Sequence, residues 1–74
     1  MAEVQAELQR AESKFPGFNS PHEGYAVILE ELDELWDEVK ANRGLTPSAL
    51  AEAIQVAAMG MRYCLMILAK GAAR

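Results

Sequence analysis

Seventy-four residues, 51% hydrophobic and 24% charged with a net charge of −4, make one domain spanning 1–74, and a domain of this size buries only roughly 60% of the surface its unfolded chain exposes. The acidic balance, with a pI near 4.8, lacks the basic footprint of a nucleic-acid binder and excludes that class of partner. A single cysteine, Cys64, excludes an internal disulfide; its apolar helical context predicts a small buried hydrophobe.

The first helix is expected over about Ala2 to Lys14, with Val4, Leu8, Ala11 and Phe15 forming a narrow apolar stripe and Pro16 and Gly17 ending it. MAEVQAELQR has no basic segment leading into an apolar one, so no secretory signal is expected and the chain reads as cytoplasmic.

The second helix is announced by Ser20 as N-cap, Pro21 at the first helical position and Glu23 closing a capping box. It is expected to reach about Ala41, with Tyr25, Ile28, Leu29, Leu32, Leu35, Trp36 and Val39 as one broad apolar face against the core. Gly44 is suited to the left-handed position after its end.

Thr46 and Pro47 repeat the cap-then-proline signal and open a third helix running to about Lys70. Leu50, Ile54, Ala57, Met61, Cys64 and Leu68 form one stripe, while Val56, Met59, Tyr63, Met66 and Ile67 lie on other faces. A helix apolar nearly all round is buried nearly all round, and three helices cannot enclose it. The excess predicts a subunit interface, with Ala53, Ala57, Gly60 and Cys64 as small residues permitting close approach. Gln55 and Arg62 interrupt the apolar stretch from Ala53 to Ala69, which is short for a membrane span, so no membrane is expected. The predicted architecture is all-α: a helical hairpin with a short N-terminal helix, oligomerising as a homodimer or tetramer around a four-helix-bundle core.

The chemistry concentrates on the second helix. Glu23, Glu30, Glu34 and Asp37 fall in one sector opposite the apolar face, with Glu31 and Glu38 to one side. No Lys or Arg lies between His22 and Lys40 to relieve them within the helix. A solvated acidic face is the plain reading. A cluster of carboxylates that holds a hard divalent ion, Mg²⁺ or Mn²⁺, is the alternative.

The stretch HEGYAVILEELDELWDEVK, a glycine- and proline-marked break, and then EAIQVAAMGMR resemble the MazG-like all-α nucleoside triphosphate pyrophosphohydrolases, whose pattern is EExxE on one helix and ExxD on the next. The resemblance covers about residues 19 to 69. It implies that Glu31 and Glu34 are metal ligands, that Glu30 is a ligand or helper beside them, and that Glu52 completes the site from the third helix. It further implies a nucleoside triphosphate substrate, Mg²⁺ or Mn²⁺ as cofactor, and cleavage to a nucleoside monophosphate and pyrophosphate. Gln55 stands where the pattern has an aspartate, offering a neutral carbonyl oxygen in place of a charge. Arg62, seven residues after Gln55 and so on its face, is the candidate phosphate-binding cation, with His22 as a second. A non-catalytic oligomerisation or nucleotide-binding module that has lost the metal site at Gln55 is the rival reading.

Overall fold

The computed structural model describes residues 1–14 and 17–71; Phe15 and Pro16, singled out in the sequence, lie outside them. Three helices follow in order: α1 (Ala2–Lys14), α2 (Pro21–Lys40) and α3 (Pro47–Ala69). The helix starts are fixed by side chains. Ser20 Oγ accepts from the Glu23 amide at 3.1 Å, and Thr46 Oγ1 accepts from the Ala49 amide at 3.3 Å, caps worth about 1 kcal/mol each. Glu23 reaches back one residue further than a capping box requires, accepting from the Asn19 amide at 2.5 Å.

The end of α2 differs from expectation. Asn42, not Gly44, takes the left-handed conformation (φ 61°), which Asn tolerates better than other residues carrying a Cβ. The Asn42 amide donates to Val39 O at 3.1 Å and the Arg43 amide to Glu38 O at 2.8 Å, the pair of bonds that defines a Schellman stop. The Arg43 side chain adds an ion pair to Glu38 at 2.9 Å. Glu38 is therefore relieved from beyond the helix, and Asp37 is relieved by Lys40 at 3.4 Å.

The short loop after this stop folds α2 back along α3, and α1 packs along α3 with its backbone away from that of α2. Two α1–α3 pairs, Glu7 with Gln55 and Glu12 with Arg62, rise together in number, so α1 runs parallel to α3. Between α2 and α3 the numbers run oppositely: Gly24 lies against Tyr63, while Glu31 and Glu34 meet Glu52. Gly24 is required there, because a Cβ at this position would stand 2.7 Å from the Tyr63 ring and 2.8 Å from Phe18.

Val4 and Ala11 of α1 pack with Ala58 and Met59 of α3, bordered by Phe18, Val27, Ile28 and Ile54. This interior is built largely from small residues. The broad apolar face of α2 was expected inside, yet Tyr25 is 63% exposed and Trp36 55%. Leu29, Leu32 and Val39 are also exposed. On α3, the stripe of Leu50, Ala57, Met61, Cys64 and Leu68 faces outward, and Cys64 is an exposed thiol rather than a buried hydrophobe. The reason is geometric: α3 must offer adjoining sides to α1 and α2, and the small Ala49, Ala58 and Gly24 permit the closest contacts there. The large side chains are left on the far side. By length and composition alone α3 could cross a membrane, being 23 residues long with a mean hydropathy of 1.3 over 18 of them, and so exceeds the apolar stretch Ala53 to Ala69 that is short for a span.

Candidate metal centre

Glu31 and Glu34 are one helical turn apart on α2 and project from the same side. Glu52 lies in the second turn of α3, which the Schellman stop and loop bring back opposite them. One carboxylate oxygen from each of the three lies within 4.8 Å of the others. These are three of the four metal residues predicted from sequence.

Burial, followed by the neighbouring Glu34 carboxylate, raises the Glu31 carboxyl to about 7; the charges of Glu52 and Glu30 act in the same direction. Burial also raises Glu52, assisted by its hydrogen bond to Glu34 and by the charges of Glu34 and Glu38. Two of the three carboxyls thus resist ionising, chiefly through burial and next through the neighbouring carboxylates. Hard oxygen donors converging from two helices suit Mg²⁺ or Mn²⁺ better than softer metals.

Glu30 is exposed on the outer side of the cluster and acts on Glu31 through its charge. His22 is exposed in the first turn of α2, nine residues and about 13 Å of helix rise from Glu31. Gln55 and Arg62 share a face as the spacing predicts, but that face meets α1. The Gln55 amide hydrogen-bonds the Glu7 carboxylate, which Arg10 first and Gln55 second hold below its ordinary value. Arg62 is only 6% exposed. Its Nε donates to Glu12 at 3.0 Å, and its guanidinium stacks 4.6 Å from the Phe18 ring centroid. Ten residues, about 15 Å of helix rise, separate Arg62 from Glu52.

Glu7 and Glu12, which engage Gln55 and Arg62, were not singled out in the sequence. Nothing in α1 marks them, since their partners lie on another helix and are found only once the α1–α3 register is known.

No family model, curated protein or solved structure matches the chain, so the functional reading rests on the residues themselves.

Proposed function

We propose that this chain is a Mg²⁺- or Mn²⁺-dependent nucleoside triphosphate pyrophosphohydrolase that converts an NTP or dNTP to the monophosphate and pyrophosphate, as a house-cleaning activity. The observation that carries the reading is the convergence of Glu31, Glu34 and Glu52 from two helices, at the positions implied by the resemblance to MazG-like enzymes. In that reaction water attacks the α-phosphorus, the bond from it to the bridging oxygen breaks, and pyrophosphate leaves.

A divalent ion supplies phosphate neutralisation and a water of lowered pKa. The chain's own residues do the rest. Glu31, Glu34 and Glu52 would hold the ion, and Glu31, whose carboxyl is raised to about 7 chiefly by burial, would bind it in the ionised form. Glu30 adds negative charge at the outer edge. A net charge of −4 means that the phosphates are held through the ion.

A non-catalytic helical module is favoured by one observation: Gln55 is engaged with Glu7 and adds no charge to the cluster. Titration calorimetry with Mg²⁺ and Mn²⁺ separates the readings at the level of the metal. The pyrophosphohydrolase reading expects binding that is lost in Glu34→Ala and Glu52→Ala; heats indistinguishable between wild type and both variants would reject the site.

A further inference from the structure

A nucleotide held through an ion at Glu31, Glu34 and Glu52 would bring its own negative charge to an acidic place. One divalent ion does not balance three carboxylates, still less a triphosphate added to them, so a phosphate chain bound there calls for a cation from the protein. The cations expected from sequence stand elsewhere: Arg62 is buried against Glu12, and His22 lies at the start of α2. Lys40 pairs with Asp37. It follows Glu31 by about two and a half helical turns and so projects from the opposite side of α2.

Arg43 is placed differently. Glu31, Glu34 and Glu38 succeed one another at helical spacing along one side of α2, so Glu38 extends the carboxylate row by one turn, about 6 Å of rise. Its charge reaches Glu52, and its side chain is only 14% exposed. The left-handed turn at Asn42 then binds Arg43 to this residue through backbone and side chain alike. The Arg43 amide donates to Glu38 O at 2.8 Å, and Nε donates to the Glu38 carboxylate at 2.9 Å. Among the described residues the guanidinium makes no second ion pair, and the side chain is 55% exposed. Nη1 and Nη2 are left as a planar fork of the kind that takes phosphate oxygens.

We propose that Arg43 is a phosphate-binding residue of the metal centre: held at the end of the carboxylate row by Glu38, its terminal nitrogens take phosphate oxygens of a nucleotide bound through the ion. The inference rests on the pyrophosphohydrolase reading and adds to it the protein's own hold on the phosphate chain. Glu38 has two effects in this arrangement. It keeps the guanidinium beside the site before a nucleotide arrives, which lowers the cost of ordering a long side chain on binding. It also occupies the cation that Glu31, Glu34 and Glu52 would otherwise attract, so those three stay available to the ion.

Titration calorimetry on the full chain tests this in two stages, with Mg²⁺ alone and then with inorganic triphosphate at saturating Mg²⁺. Arg43→Ala should bind Mg²⁺ at least as tightly as the wild type, since no oxygen donor is lost, and should bind triphosphate about 10- to 100-fold more weakly, the worth of one charge-assisted hydrogen bond. Arg43→Gln keeps a donor for Glu38 and loses the charge; it should show the same split, and it decides if the alanine variant does not fold. Lys40→Ala removes an equal charge from the other side of α2 and should leave triphosphate binding unchanged. Triphosphate affinity that is undiminished in the Arg43 variants overturns the proposal and leaves the metal centre standing. A loss of Mg²⁺ affinity alongside that of triphosphate overturns it in favour of a loop brace, and an equal loss in Lys40→Ala overturns it in favour of bulk charge. A wild type that binds no Mg²⁺ overturns the metal centre itself and this proposal with it.

Discussion

At Glu31 a single carboxyl couples the fold to pH. Its folded value of about 7 lies above the ordinary 4.5, so the folded chain holds a proton that the unfolded chain releases. The stabilising contribution is complete below pH 4.5 and is lost as pH rises through the folded value. With Glu52 raised in the same direction, the metal-free protein should melt at a lower temperature at pH 8 than at pH 5.5. Millimolar Mg²⁺ should restore the loss at pH 8, because it takes the place of the proton, and Glu31→Gln should flatten the dependence. Thermal melts in chelator and in Mg²⁺ measure all three effects; a wild-type melting temperature that does not fall across this range contradicts the electrostatic account. Gly24 makes an independent demand. Gly24→Ala gains helix propensity of about 1 kcal/mol but drives a methyl group to 2.7 Å from Tyr63, an overpacking cost of about 1–3 kcal/mol. Urea unfolding should show net destabilisation, and a stabilised variant would mean that α2 and α3 lie further apart at this end.

Among the helices, α1 is tied to α3 by the two pairs that Gln55 and Arg62 make. Gln55→Asp places a second carboxylate against Glu7, which already depends on Arg10 and Gln55 for its lowered pKa. It should cost about 1–2 kcal/mol, the penalty of replacing a hydrogen bond by an unpaired acceptor. Glu7→Gln in the same chain should recover most of that cost, a coupling that a double-mutant cycle in urea measures. Additive losses would place Glu7 and Gln55 out of contact.

The helix boundaries were legible because their signals are local: Ser20 with Pro21 and Thr46 with Pro47 each set a start within a few residues of chain. The set Glu31, Glu34 and Glu52 was expected only through the resemblance to the EExxE and ExxD pattern, and the fold brings the three together by turning α2 back along α3. The buried side of α3 was not legible. Apolar residues lie all round it, so periodicity chooses no face, and the choice was made by the small residues Ala49 and Ala58, which hydrophobicity ranks low. The same ambiguity put Cys64 inside when it stands outside, whereas Tyr25 and Trp36 lie on the one broad apolar face of α2, which the rest of the chain covers only in part. Asn42 took the turn expected of Gly44, although the helix ends at Lys40, within a residue of the expected Ala41. The Glu12–Arg62 pair joins residues 50 apart, a distance over which no helical spacing rule operates.

At the scale of the whole molecule, an acidic chain of 74 residues makes three of its ion pairs within α1 or at the end of α2, joins α1 to α3 through Glu12 and Arg62, and leaves three carboxylates crowded together. In the proposed account the crowding is tolerated because a divalent ion relieves it and, in doing so, gives the protein a hold on triphosphate. Product analysis after incubation with mixed NTPs and dNTPs in Mg²⁺ tests this most directly. The account predicts pyrophosphate and nucleoside monophosphate in equal amounts, with no diphosphate or inorganic phosphate. Glu31→Ala and Glu52→Ala should each reduce the rate by a factor on the order of 10² or more, as expected when an ion that stabilises transition-state charge is lost. Failure of the wild type to release pyrophosphate with either Mg²⁺ or Mn²⁺, or release undiminished in both variants, would contradict it.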